Sequence, residues 1–209
     1  KNIYYYYKSW WTDEDVIHIS PHWNWNEKIG QPIEVWVNSN ADDVELFLNG
    51  KSLGKKTMPR NSHLKWEVTY EPGTLEAIGY KKGKKISTKV ETTSTPYKLI
   101  ATTEKNILTA DGKDATVVNI SIVDEKGREV PVADNMVKFF LKGDAKIIGV
   151  GNGDPSSHEP DQFLDGAWQR SAFNGKCQVI ILSGKTKGEF QLEVKSNGLA
   201  SDVISFTQK

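Results

Sequence analysis

From Ile33 onward the chain alternates apolar and polar residues with a period of two, and turn-forming residues interrupt the alternation at short intervals. That is the pattern of half-buried strands rather than of helices. IEVWV (Ile33 to Val37) is one clear run. In VELFLNGKSLG (Val44 to Gly54), Asn49-Gly50 supplies the positive φ angles that a type I′ hairpin requires, between strands carrying Leu46, Leu48 and Leu53. HLKWEVTY, TLEAIGY and ISTKVET predict three more strands, separated by Pro72-Gly73 and by the Lys-Lys-Gly-Lys-Lys turn at Lys81 to Lys85. The polar stretch TTSTPY, Thr92 to Tyr97, is broken by Pro96 and reads as a boundary. Beyond it the pattern restarts in YKLIATT, ATVVNISIVDEKGREV, MVKFFLKG, AKIIGVG, KCQVIILSG, GEFQLEVKS and ASDVISFT.

Short strands spaced about ten residues apart predict an all-β fold of two immunoglobulin-like antiparallel β-sandwiches. The first takes residues 20–92, a linker residues 93–96, and the second residues 97–209. Residues 1–19 stand outside this scheme. Ile3, Tyr6, Tyr7, Trp10 and Trp11 fall at helical spacing, which predicts a short amphipathic helix with an aromatic surface. Such a surface needs a cover, and self-association through this segment is one way to provide it.

Lys plus Arg and Asp plus Glu number 27 each, so no global field draws the chain to nucleic acid or to an anionic membrane. The lysines at 81, 82, 84 and 85 read as a solvated hairpin tip. The single cysteine, Cys177, alternates with Val179 and Ile181 and reads as a buried free thiol. The chain opens on KNIYYYYKSWW, with neither an initiator Met nor an apolar leader, and reads as part of something longer.

The stretch GVGNGDPSSHEPDQ, Gly149 to Gln162, looks the most like chemistry. A phosphate cradle would need its glycines to open a helix, and here prolines and carboxylates follow instead. Asp154, His158, Glu159 and Asp161 could wrap a Ca²⁺ ion, but their spacing matches neither an EF-hand nor a helical zinc pair. The favoured reading is a self-bonded loop with no metal and no cofactor; its glycines would allow close packing or a bulge. The remaining reading gives it a contact role, carried by Asn152, Asp154, His158 and Glu159 and extending to Trp168. Trp and Tyr faces can also stack on sugars, and HWNW would place Trp23 and Trp25 on one side of an extended strand. Trp36 falls on the face opposite Ile33, Val35 and Val37, whereas Trp66 shares a face with Leu64 and Val68 and reads as core.

IYYYYKSWWTDEDVIHISPHWNW followed by the VELFLNGKSLGKK hairpin resembles the point where the catalytic barrel of a Bacteroides-type glycoside hydrolase family 2 enzyme ends and its accessory domains begin. LTADGKDATVVNISIVDEKGREVP, IIGVGNGDPSSHEPD and RSAFNGK resemble the C-terminal invasin-like domain of the same enzymes. The resemblance implies that residues 1–19 are a helical remnant of the barrel, and that the two sandwiches buttress the barrel of a secreted or periplasmic β-galactosidase-like enzyme. The two catalytic glutamates of such retaining enzymes belong in barrel strands before Lys1. No catalytic residue is therefore assigned, and this chain is expected not to be an enzyme by itself.

Two other classes of function stay open. A carbohydrate-binding module would present exposed aromatics, with Trp23, Trp25 and Trp168 the candidates, whereas the favoured reading of Trp23 and Trp25 is that their indoles fill the joint between the barrel and the first sandwich. A surface adhesion module would need only the sandwiches. The expected partners are the barrel of the parent chain and a glycan, with no nucleic acid and no membrane.

Overall fold

A computed structural model describes residues 1–164 and 166–209, and the chain divides into two compact units, Lys1–Thr92 and Thr93–Lys209. Asp165, inside the loop singled out above, lies outside the described residues. Among the described residues no helix is long and apolar enough to cross a membrane.

The first unit runs α1 (Asn2–Trp11), β1 (Ile17–Ser20), a 3₁₀ turn at Asn26–Lys28, β2 (Pro32–Ser39), β3 (Asp43–Leu48), β4 (Lys51–Thr57), β5 (Leu64–Thr69), β6 (Thr74–Lys81) and β7 (Lys84–Glu91). The strands form two antiparallel sheets, β1-β2-β5 and β4-β3-β6-β7. Alternation decides which side chains meet between them: Ile33, Val35 and Val37 from β2 and Leu64, Trp66 and Val68 from β5 join Val44, Leu46, Leu48, Leu75 and Ala77 in one core. Asn49 (φ 51°) and Gly50 (φ 80°) close the β3–β4 hairpin, with Leu48 paired to Lys51. Strand β4 leaves its lysines at the sheet edge, where charge discourages pairing with another chain.

Helix α1 occupies the predicted residues, but its aromatics divide between two faces. Tyr6 Oη donates to the Asn61 carbonyl (2.9 Å) and Trp10 Nε1 to that of Ser62 (3.2 Å), while the Tyr5 ring stacks on His18 at 3.6 Å. Ile3, Tyr4, Tyr7 and Trp11 face outward, Trp11 with 77% of its surface exposed. The sandwich also starts earlier than the sequence suggests, because His18 and Ile19 already pair with Asn38 and Val37 of β2.

The second unit runs β8 (Lys98–Thr102), β9 (Ile107–Leu108), β10 (Ala115–Val123), β11 (Met136–Lys142), β12 (Ala145–Gly151), β13 (Trp168–Ser171), β14 (Lys176–Ser183), β15 (Gly188–Lys195) and β16 (Asp202–Gln208). Its sheets are ordered β12-β14-β10-β8 and β13-β11-β15-β16-β9. The β16–β9 pair is parallel and the other named pairs of the unit are antiparallel. Val118, Ile120 and Ile122 of β10 with Cys177, Val179 and Ile181 of β14 face Val137, Phe139, Phe190, Leu192, Val194 and Phe206 of the other sheet. Phe190 and Phe206, direct cross-strand partners, stack at 4.6 Å. The predicted linker is tied down at Ser94, whose amide donates to buried Asp124 (3.1 Å), and the next segment begins with the Tyr97 amide donating to the Val123 carbonyl.

Candidate functional site

The Gly149 to Trp168 segment is built from its strand outward. Strand β12 slips register against β14 between Ile147 and Gly149, so the expected bulge is present where the glycines begin. The chain then leaves the sheet at Asn152 and returns at Trp168. Between these points its polar groups are spent on one another. Asn152 Nδ2 donates to the Ser171 carbonyl (2.8 Å), and its Oδ1 accepts from the Asp154 amide (3.0 Å). Asp154 Oδ1 accepts from the hydroxyl (2.7 Å) and the amide (2.9 Å) of Ser156, which hold its carboxyl below the usual range. Glu159 Oε2 accepts from the Ser171 amide (2.8 Å), and its carbonyl from Arg170 Nη1 (2.7 Å). Arg170 is buried and clips the loop onto β13.

Asn152, Asp154 and Glu159 thus bond within the loop and to β13, as a self-bonded loop requires, because turn amides without strand partners need acceptors. His158 is the exposed member of that set. Among the described residues no group of three or more His, Cys, Asp or Glu is gathered as a metal would need.

What the loop does create is a groove. The Val150 amide donates to the Asp161 carbonyl (3.1 Å), which draws the returning limb alongside β12. Between this limb and the outer face of β12 and β14 lies an open hollow of ≈ 680 Å³. Phe163 and Trp168 meet edge to face in it, their ring centroids 5.9 Å apart. Ile148 and Ile180 supply exposed apolar surface, and Asp161, Gln162 and Gln178 supply polar groups. Gln178 Nε2 is fixed by donation to Asn119 Oδ1 (2.6 Å). Lysine, arginine and histidine are absent from the described lining. The arrangement suits a ligand with one apolar face and hydroxyls at its edge, and among the described residues it holds no nucleophile paired with a base.

Of the three tryptophans proposed as a sugar platform, only Trp168 lies in this groove. Trp23 is fully buried, donates Nε1 to the Glu71 carbonyl (3.0 Å) and sits edge-on to Tyr70. The expected extended HWNW strand does not form, since Asn24 is buried as well and Trp25 leads into the 3₁₀ turn. Trp25 is half-buried, stacked on His22 at 4.6 Å and covered by Lys28 Nζ at 4.8 Å. Trp23 is therefore core, and Trp25 is packed against its neighbours.

Burial lowers His18 to a pKa of about 4 and also lowers His22, and it pushes the Cys177 thiol up to about 12. Trp36 is partly exposed, stacked on His63 (4.2 Å) and approached by Lys65 Nζ (4.5 Å). Sequence reasoning missed Phe163, Gln178 and Arg170; a lone exposed Phe, an outward strand position and a single buried cation carry no periodic signal.

Residues 99–205 match the family described as glycoside hydrolase family 2 C-terminal domain 5, and residues 30–87 match a domain of unknown function. The chain is 43% identical over 210 residues to Beta-galactosidase BoGH2A of Bacteroides ovatus, covering 99% of this chain and 24% of the relative. It is 32% identical over 170 residues to a beta-glucuronidase of Formosa agariphila, covering 79% of this chain and 17% of the relative. Its fold superimposes on the crystal structure of a beta-glycosidase from Bacteroides vulgatus with a TM-score of 0.92 at 33% identity, over 99% of this chain and 26% of that one. The chain thus spans about a quarter or less of the length of the curated relatives it matches.

Proposed function

The chain belongs to the glycoside hydrolase family 2 C-terminal domain 5 family, and from that premise we propose that it is the non-catalytic accessory part of a retaining β-glycosidase of the β-galactosidase kind. The observation that carries this reading is the alignment of nearly the whole chain to one quarter of a β-galactosidase. Retaining hydrolysis needs two carboxyl groups about 5 Å apart in a sugar-sized cleft. The groove described here contributes one described carboxylate, Asp161. Three further acids serve the fold: Asp124 holds Arg128, Glu159 caps the Ser171 amide, and Asp114 pairs with Lys105.

The proposed role is to buttress a catalytic barrel. The outward face of α1, with Ile3, Tyr4, Tyr7 and Trp11, is the surface offered to it, because so much exposed aromatic area on ten residues gains from being covered. A hollow of ≈ 460 Å³ beside it, lined by Ile3, Tyr6, Trp36 and His63 among others, would accept a projecting side chain. In this reading the parent enzyme acts in the periplasm or outside the cell.

The reading is tested on the Bacteroides ovatus β-galactosidase by deleting the quarter that matches this chain, and by replacing it with this chain. Deletion is expected to lower the melting temperature of the remaining enzyme, and replacement to restore both stability and hydrolysis of a chromogenic β-galactoside. A deletion that leaves stability and activity unchanged would overturn the buttress.

A further inference from the structure

We propose that the groove walled by Phe163 and Trp168 binds a neutral pyranoside and discriminates against uronic acids. The inference rests on the glycosidase reading only in its choice of a sugar; the geometry is that of the second unit alone.

A pyranose presents an apolar C–H face and a rim of hydroxyls. Its partner should therefore offer flat apolar surface with donors and acceptors at the edge. Phe163 is 56% exposed and stands against Trp168, and Ile148 and Ile180 extend the apolar floor. Gln162 and Gln178 offer both donors and acceptors, and Asp161 offers acceptors. The volume falls within the range of small-molecule sites. The bonds among Asn152, Asp154, Ser156, Glu159 and Arg170 hold the loop before any ligand arrives, which lowers the ordering cost of binding.

Charge selects among sugars. The described lining contains no cation to meet a uronate, and Asp161 would repel one. A desolvated carboxylate without a partner is costly, so a neutral hexoside fits where a glucuronide does not.

The glycines provide a blocking variant that folding should tolerate. Gly151 pairs with Gln178 in the β12–β14 ladder, so the two positions share the outer face. A Cβ at Gly151 would meet nothing within 4 Å, and the backbone there is not in the left-handed region. Gly151→Leu therefore projects into the groove from the outer face, away from the core.

The test is a ¹H–¹⁵N titration of the 209-residue chain with lactose and, separately, with methyl β-D-glucuronide. Lactose is expected to give saturable shifts clustered at residues 148–151, 161–163, 178–180 and the Trp168 indole, while the glucuronide leaves them in place. Phe163→Ala and Gly151→Leu are each expected to weaken lactose binding about tenfold with spectral dispersion unchanged, the weight of a central contact. No saturable shift with lactose, shifts clustered elsewhere, equal binding of the glucuronide, or full affinity in both folded variants would each overturn the proposal. Absence of binding would leave the accessory reading standing. Failure of the deletion test above would remove that reading without touching the groove.

Discussion

Arg128 Nη2 stands 2.6 Å from Asp124 Oδ2, and the carboxylate it meets is wholly buried. The same carboxylate accepts from the Arg128 and Lys126 amides and from Ser94, so one side chain ties a β-turn to the start of the second unit. Burial alone would raise its pKa, but the guanidinium and the backbone donors of Arg128 and Ser94 outweigh burial and hold the carboxyl well below the usual range. Asp124→Ala leaves those donors without their acceptor and is expected to cost the second unit roughly 3 kcal/mol. Chemical denaturation should show the loss in the transition of residues 93–209, with that of residues 1–92 unmoved; an unchanged midpoint would contradict it. Because the folded pKa is depressed, this contribution is complete above the unfolded value of 3.8 and fades only on acidification below it.

His18 loses stability in the same direction, on acidification, but in a higher pH window. Its ring stacks on Tyr5 at 3.6 Å, its Nε2 lies 3.0 Å from Asn2 Oδ1, and burial lowers its pKa from 6.5 to about 4. The unfolded ring takes up a proton first as pH falls, so the docking of α1 is fully stable above pH 6.5 and weakens progressively toward pH 4. Amide exchange in residues 2–11 should accelerate over that interval, and His18→Gln should flatten the dependence. A His18 that titrates near 6.5 with α1 protection unchanged would contradict it.

Cys177 is expected to be inert. It is buried among Val179, Ile181 and the opposite sheet, and burial pushes its thiol up to about 12, so almost no thiolate exists near neutrality. A disulfide-exchange reagent should fail to label the folded chain and should label it stoichiometrically in denaturant. Rapid labelling of folded protein would show that the second core opens.

Trp23 is expected to behave as core. Trp23→Ala removes a fully buried indole bonded to the Glu71 carbonyl and should destabilise the first unit by about 3–5 kcal/mol. Lactose shifts in the second unit should survive the substitution; their loss would tie Trp23 to the ligand.

The parts of the fold that read from the sequence are those set by local rules. Alternation placed Val35, Val37, Leu46 and Trp66 inward, Asn49-Gly50 produced the two-residue hairpin, and the stretch Asn2 to Trp11 became the helix. The extended HWNW strand is where the pattern fails, because the positions of Trp23 and Trp25 depend on where the chain turns before β2, and no periodicity spans that turn. The loop was legible as self-bonded from its Asp, Ser and Asn content, as Asp154 and Ser156 show. The groove was not, since Phe163, Gly151 and Gln178 come together only through the β12–β14 pairing and the return of the loop. Trp168 was singled out for its ring alone; its neighbour Phe163 gives that ring a context.

The central claim is that this chain supports or guides glycoside hydrolysis without performing it. Incubating the purified chain with chromogenic β-galactoside and β-glucuronide tests this directly. The account predicts no release of chromophore above the buffer rate. Turnover that follows the chain through repurification would contradict the account, and its persistence in Asp161→Asn would place the catalytic pair outside the groove.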